Sequence, residues 1–201
     1  MTTASINKAP PKKELYWILA CSLIPMLAAW ISYFSGFGVP KETVNHGRLV
    51  MSAPSLEGVL SKDDWARVHA DKKWRVLHLV GAPCEAACEA ALYLTRQIHI
   101  RLSQNSERVE RIALVDPTFV STAQREALQR AHPRLHILNV DRAQQQRWLS
   151  SVERGLAVAA SDYWLVDQEG RAMMLYDAGQ DGNDVLKDLK RVLKYSIDYQ
   201  Q

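Results

Sequence analysis

An uninterrupted apolar run dominates the first part of the chain. Residues 15–35 read LYWILACSLIPMLAAWISYFS and contain no charged side chain. This is about the length that an α-helix needs to cross the hydrocarbon core of a bilayer. Aromatic side chains lie near both ends of the run, where they are typical of membrane–water interfaces: Tyr16, Trp17, Trp30, Tyr33 and Phe34. The pattern predicts one transmembrane helix, in which Pro25 is tolerated.

Charges on either side of the run predict its orientation. Lys8, Lys12 and Lys13 precede it, whereas Lys41 after it is offset at once by Glu42. The positive-inside rule then places the N-terminus in the cytoplasm and the rest of the chain on the periplasmic, extracytoplasmic side of the inner (cell) membrane. A cleaved signal peptide is the alternative, but the run is longer than the apolar part of such peptides. We therefore expect a retained anchor.

Beyond residue 60 the pattern alternates between short apolar runs and helical stripes. Ser61 and Asp64 resemble a capping box and predict a short helix, and 74–80 reads as a buried central strand. A helix follows from Cys84 onward. Further strands are predicted at 109–115, 135–140, 163–166 and 173–176, and further helices at 122–131, 141–152 and 184–195. This βαβ order followed by ββα predicts an α/β, thioredoxin-like fold preceded by the transmembrane helix.

The same reading divides the chain into four segments. Residues 1–14 form a cytoplasmic tail, 15–37 the transmembrane anchor, 38–60 a tether that includes a first strand near Leu49, and 61–201 the thioredoxin-like domain. With 201 residues, the chain has room for one ordinary domain and a short anchor.

Charge and cysteine content exclude two classes of protein. The net charge is only +3, and basic residues are interleaved with acidic ones, so we expect no nucleic-acid partner. Three cysteines are too few for a disulfide-stapled scaffold. Cys21 lies inside the anchor, where a small apolar residue fits, while Cys84 and Cys88 lie together in the folded part. That pair is the candidate site.

The spacing of the cysteine pair permits several kinds of chemistry. Residues four apart at the start of a helix share one face, with Cβ atoms about 6 Å apart, so a modest distortion of the first turn would allow a Cys84–Cys88 disulfide. Amide groups at a helix N-terminus also favour the thiolate of Cys84, as nucleophile or as metal ligand. The alternative is that both cysteines only pack in an Ala-rich helix. An oxidising compartment makes that alternative less favourable.

Three segments carry a resemblance to a known family. They are VGAPCEAAC at 80–88, Val115-Asp116-Pro117, and YWLVDQEG at 163–170. Together they resemble the Sco/SenC family over about residues 50–195. The resemblance implies a membrane-tethered thioredoxin-like domain whose CxxxC pair delivers copper to the copper site of cytochrome c oxidase, or reduces the thiols of that site. It implies Cys84 and Cys88 as copper ligands, and an oxidase subunit or assembly factor as partner.

The family's third copper ligand is a histidine, and the sequence lacks it at the matching place. Residues 155–162 read GLAVAASD, with Ala159 where the histidine is expected. Two thiolates suffice for Cu(I), whereas Cu(II) favours an additional imidazole. His78 is more simply a core residue, His99 is too far along its helix, and His132 and His136 flank Pro133 in a loop and at a strand edge. His46 lies in the tether, where nothing in the sequence positions it.

The sequence therefore supports one leading function and two alternatives. The leading one is a membrane-anchored, Sco-like thiol–disulfide or copper-handling factor in cytochrome c oxidase biogenesis, with Cys84 attacking and Cys88 resolving. The alternatives are a generic extracytoplasmic thiol–disulfide oxidoreductase and a non-catalytic, membrane-tethered binding module. Copper is the only cofactor that the resemblance implies, and any enzymatic activity would be thiol–disulfide exchange.

Overall fold

Helix α1, Lys12–Ser35, is the apolar helix expected near the N-terminus. The computed structural model describes residues 12–35, 45–80, 84–152 and 155–199, and it divides the chain into two units, Met1–Val44 and Asn45–Gln201. Within the first unit, Lys13–Ser35 has a mean hydropathy of 1.8 and is long and apolar enough to cross a membrane. Most of the predicted tail and the tether up to residue 44 lie outside the described residues.

The second unit is built on a six-stranded mixed sheet with the strand order β1-β6-β5-β2-β3-β4. The strands are β1 (Arg48–Leu49), β2 (Trp74–Val80), β3 (Val109–Val115), β4 (Leu135–Asn139), β5 (Tyr163–Val166) and β6 (Ala172–Tyr176). β2, β3 and β4 run parallel, and the other pairs are antiparallel. The helices are α2 (Lys62–Ala70), α3 (Ala86–Arg101), α4 (Thr122–Ala131), α5 (Arg142–Ser150) and α6 (Gly182–Tyr195). The mixed α/β, thioredoxin-like fold class is confirmed.

Apolar side chains cover both faces of this sheet. Because successive residues of a strand point to opposite faces, Leu77 packs into one cluster with Trp148 of α5, and Val76 packs into another with Leu189 of α6. A third cluster contains Leu92 of α3 together with residues of all three parallel strands, among them Val80, Val115 and Ile137. The central strands are therefore buried on both sides, as expected from their continuous apolar runs.

Hydrogen bonds at the helix ends agree with the sequence. The hydroxyl of Ser61 accepts a bond from the backbone N–H of Asp64 at 3.1 Å, which caps α2 as the sequence predicts. Ser121 and Gln124 form a reciprocal capping box at the start of α4. These caps define where the two helices begin.

Side chains of α4 cover the edge strand β4. Arg125 donates a hydrogen bond from Nη2 to the carbonyl of Ile137 at 2.9 Å, and Gln129 donates from Nε2 to the carbonyl of Leu135 at 3.3 Å. Both helical side chains thus reach the backbone of the outermost strand. This attaches α4 to the sheet through polar contacts in addition to apolar packing.

The start of the second unit is tied to the last helix by Asp188. Its buried carboxylate accepts hydrogen bonds from the backbone N–H groups of His46 at 2.8 Å and Gly47 at 3.0 Å, and from the hydroxyl of Tyr176 at 3.1 Å. The first strand then follows as β1, which is shorter than the apolar patch at Leu49 suggested. The segment before β1 is therefore held by α6.

Candidate functional site

Cys84 and Cys88 lie at the junction between β2 and α3. The sequence prediction that both occupy the first helical turn is wrong for Cys84, because α3 begins only at Ala86. Glu85 precedes the helix in an extended conformation, with φ −78° and ψ 175°, and this turns Cys84 back over the helix end. The two sulfur atoms are 2.01 Å apart in a disulfide, with Cα atoms 5.4 Å apart. The predicted turn at 81–83 lies outside the described residues.

The disulfide is half-buried against an apolar base. Both cysteines pack on the third cluster, which contains Val80 from β2, Leu92 from α3 and Ala113 from β3. The Glu85 side chain makes no capping hydrogen bond to the amide groups of the first turn of α3. Those N–H groups therefore remain without that cap, and their partial positive charge would favour a thiolate after reduction.

A groove of about 790 Å³ runs between α3 and α4 and ends at the disulfide. Cys84 lines it, whereas Cys88 does not. Most of the lining is apolar or small: Val80, Ala86, Ala90, Leu92, Val120 and Leu128. A ligand in this groove would therefore contact Cys84 rather than Cys88.

His78 is a buried core histidine, as the sequence favoured. Its Nε2 atom lies 3.0 Å from the hydroxyl of Thr95, and its ring stacks on Tyr163 with centroids 5.4 Å apart. Burial, together with the positive charge of Arg111, lowers the pKa of His78 to about 3. The imidazole is therefore neutral and already engaged, which removes it as a ligand for the cysteine pair.

The remaining histidines take other roles. His99 Nε2 is hydrogen-bonded to the carbonyl of Val109 at 2.9 Å, and His136 Nδ1 contacts the carboxylate of Glu110. His46 is positioned after all, contrary to the sequence interpretation, because Nδ1 contacts Asp188 at 3.0 Å. His132 lies in the loop after α4, as the sequence predicts, but it is only 8% exposed and lines the same groove as Cys84.

The donor atoms present fit only part of the copper site that the family resemblance implies. The loop expected to supply a histidine has Ala159, whose backbone N–H donates to the carboxylate of Asp162 at 2.9 Å. Among the described residues, no group of three or more His, Cys, Asp or Glu side chains is placed to hold a metal ion. Cys84 and Cys88, once reduced, supply two thiolates, a donor pair suited to Cu(I).

Two features of the site were not predicted from the sequence. The first is the groove itself, which depends on how α4 packs beside α3. The second is a group of basic side chains at its far end, where Arg96 and His132 line both the groove and an adjoining cavity. These residues are far apart in the sequence and follow no motif, so only the fold brings them together.

Comparison with known proteins identifies the domain. A family model described as transmembrane-like, thioredoxin-like, C-terminal domain matches residues 74–196, which is more than half of the chain. The matched range begins at β2 and ends just after α6, so it contains the cysteine pair and the groove. No curated protein matches the sequence.

Two solved structures illustrate the structural likeness. BsSco, a member of the Sco family of cytochrome c oxidase assembly proteins in which a disulfide switch was identified, shares 13% identity; the match covers 76% of this chain and 98% of BsSco, with a TM-score of 0.51. Yeast Sco1 with copper bound shares 15% identity, with coverage of 66% and 83% and a TM-score of 0.50. At such identities the likeness concerns the fold, and the resemblance to Sco/SenC proteins is confirmed at that level.

Proposed function

This chain belongs to the family of transmembrane-like, thioredoxin-like C-terminal domains, and on that premise we propose that it is a membrane-anchored thiol–disulfide exchange factor of the Sco type. Its clients would be thiols of a cytochrome c oxidase subunit or of an oxidase assembly factor. In this proposal α1 anchors the chain with its N-terminus in the cytoplasm, and the folded domain works on the oxidising, periplasmic side.

The observation that carries the proposal is the placement of the disulfide at the end of the groove. Cys84 lines that groove and Cys88 does not, so the two sulfurs differ in access from the groove although they are bonded to each other. A substrate segment lying between α3 and α4 would meet only Cys84. This asymmetry is the one that an attacking and a resolving thiol require.

Thiol–disulfide exchange at this site needs no further oxidant, because electrons pass only between the substrate thiols and the Cys84–Cys88 disulfide. A substrate thiolate attacks the sulfur of Cys84, the Cys84–Cys88 bond breaks, and Cys88 leaves as a thiolate that the amides of α3 stabilise. A second thiolate of the substrate then attacks the substrate sulfur in the mixed disulfide, and Cys84 leaves as a thiolate. The substrate is thereby oxidised to a disulfide, and both Cys84 and Cys88 are left reduced. The reverse sequence of steps reduces a substrate disulfide. The direction depends on the reduction potentials of the Cys84–Cys88 disulfide and of the substrate disulfide.

Copper handling is a second candidate, favoured by the paired thiolates that reduction would release. Because Ala159 replaces the expected histidine, the donor set suits Cu(I) transfer rather than a retained Cu(II) ion. Such a role requires the reduced pair, so it depends on the same redox step. Thiol exchange is therefore the function that both candidates share.

The decisive experiment traps the mixed disulfide. The full chain is prepared with Cys21→Ser, so that the anchor cysteine does not react, and is reduced and mixed with an oxidised peptide that contains two cysteines. Cys88→Ser should accumulate a covalent peptide adduct, Cys84→Ser should accumulate much less, and the chain with both cysteines should end oxidised with a mass two protons lower.

Other results would reject the proposal. Equal adduct formation by the two single variants would show that the sulfurs are not distinguished. Thiols that stay free in the chain with both cysteines would show that the pair is not redox-active. If the Cys84→Ser, Cys88→Ser double variant still supported oxidase assembly in cells, the domain would act there as a binding module.

A further inference from the structure

A basic cavity of about 470 Å³ adjoins the far end of the groove. Its charged lining consists of arginines and histidines, with no carboxylate among the lining residues: Arg96, Arg111, Arg134, His99 and His132. Across the described part of the chain, no carboxylate lies within ion-pair distance of any of the three arginines. Positive charge is therefore gathered here without a negative partner.

Arg111 is the least expected member of this group. It is 1% exposed, and its guanidinium donates to neutral oxygens: Nη2 contacts the carbonyl of Leu92 at 2.7 Å and the hydroxyl of Thr95 at 3.1 Å. Burial and the nearby charge of Arg96 lower the pKa of Arg111 to about 10. A buried arginine is ordinarily paired with an acid, so this guanidinium is held in place but not neutralised.

His132 supplies an independent indication that this cavity binds a ligand. It is more than nine-tenths buried and lines both the groove and the cavity, yet its Nδ1 atom has no hydrogen-bond partner among the described residues. Burial and the charges of Arg111 and Arg96 lower its pKa. An anion beside these arginines would reduce the repulsion between Arg96, Arg111 and a protonated His132, and it would compensate the positive charge of the arginines.

The groove and the cavity share Arg96 and His132, so they form one continuous path from Cys84. We propose that the cavity binds a carboxylate of the thiol substrate through Arg96, Arg111 and Arg134, while the substrate lies extended in the groove with its cysteine at Cys84. The inference rests on the proposed thiol exchange for its substrate class. It adds that the substrate carries an acidic group at a defined distance from its cysteine.

The length of α3 gives that distance. Arg96 lies ten residues beyond Ala86, which corresponds to about 15 Å along the helix axis. An extended peptide covers this length in about four to five residues. The acidic residue of the substrate should therefore be separated from its cysteine by that number of positions.

The test measures binding without thiol chemistry. The full chain in detergent is titrated calorimetrically with the capped hexapeptides SAAAAD and SAAAAN, which lack cysteine and differ only in the final charge. The acidic peptide should bind about tenfold tighter in low salt, as expected when charge-assisted hydrogen bonds replace a neutral contact. This preference should disappear in the Arg96→Gln, Arg134→Gln double variant.

Arg101→Gln is the matched control, because Arg101 is an exposed arginine of the same helix that does not line the cavity. It should keep the preference for the acidic peptide. Equal affinities for the two peptides, or a preference that survives in the double variant, would overturn the carboxylate site.

A second measurement separates this inference from the proposed function. The thiol peptide CAAAAD should reduce the Cys84–Cys88 disulfide faster than CDAAAA, whose acid adjoins the cysteine. Equal rates would overturn the spacing argument while leaving thiol exchange intact. Failure of every thiol peptide to react, together with the selective binding of SAAAAD, would reject the exchange function and leave an anion site without it.

Discussion

Asp188 and His46 are 142 positions apart, yet the carboxylate of one accepts the backbone N–H of the other at 2.8 Å. The same carboxylate accepts the N–H of Gly47 and the hydroxyl of Tyr176. One buried acid in α6 therefore organises the beginning of the folded domain. Two of those donors are backbone groups, so a substitution at His46 other than to proline keeps its N–H. At Gly47, an added Cβ would lie 2.6 Å from the ring of Tyr176, whose hydroxyl is the third donor.

Replacing Asp188 should destabilise the domain strongly. Asp188→Ala leaves two backbone donors and the Tyr176 hydroxyl without their acceptor, and each unmet buried donor costs about 1 kcal/mol or more. We expect the free energy of unfolding to fall by about 3 kcal/mol, measured by chemical denaturation. Asp184→Ala, on the more exposed side of the same helix, should have a much smaller effect; equal losses would contradict the role of Asp188.

Glu110 should contribute more to the stability of the domain than its partly exposed position suggests. It pairs with Arg75, whose side chain is fully buried, at 3.0 Å. Glu110→Ala would leave that guanidinium buried without its carboxylate, which costs about 3 kcal/mol of stability. The matched control is Glu126→Ala, which removes an exposed i,i+4 pair with Arg130. Similar midpoints of denaturation for the two variants would refute the prediction.

The buried state of His78 predicts a loss of stability in mild acid. Its pKa is about 3 in the folded domain, against about 6.5 when unfolded, so between these values only the unfolded chain takes up the proton. Stability is therefore fully present above pH 6.5 and declines as the pH falls toward 3. Between pH 7 and pH 5 this group alone should remove about 2 kcal/mol.

The control for this effect is a domain without the titrating ring. In the His78→Gln variant, the decrease in the free energy of unfolding between pH 7 and pH 5 should be about 2 kcal/mol smaller than in the unchanged chain. This difference does not depend on the stability of the variant at pH 7. Nuclear magnetic resonance should also show ring signals of His78 that do not move between pH 8 and pH 5. A normal titration near pH 6.5 would rule out the neutral, buried state.

Copper binding should follow the oxidation state of the cysteine pair. The reduced chain, with Cys21→Ser, should bind one Cu(I) ion in competition with a chelator, and the Cys84→Ser, Cys88→Ser double variant should bind it at least a hundredfold more weakly, about 3 kcal/mol. Retained affinity in the double variant would eliminate the thiolate site. Since the matching loop lacks a histidine, Ala159→His should strengthen Cu(II) retention specifically.

The order of strands and helices was predictable because each element carries its own local signal. The strand at Val109–Val115 and the helix at Thr122–Ala131 have the bounds that their apolar patterns and flanking residues predicted. The cap at Ser61 was readable for the same reason, since a capping residue and its partner are three positions apart.

Features that depend on long-range packing were not predictable in this way. The position of His46 depends on its contact with Asp188. The location of His132 beside residues of α3, in the lining of the basic cavity, depends on how the helices pack. The sequence predicts the start of α3 two residues too early, because a CxxxC pair with helix-forming neighbours has a helical pattern throughout. The extended Glu85, which separates Cys84 from the helix, has no local signature.

The contacts from α4 to β4 also bear on how the domain meets other copies of itself. An edge strand normally offers free carbonyls to which a strand from another molecule can pair, and this pairing is a common start of aggregation. Here Arg125 and Gln129 already occupy the carbonyls of Ile137 and Leu135. A foreign strand would have to displace both side chains, so α4 protects this edge against intermolecular sheet growth.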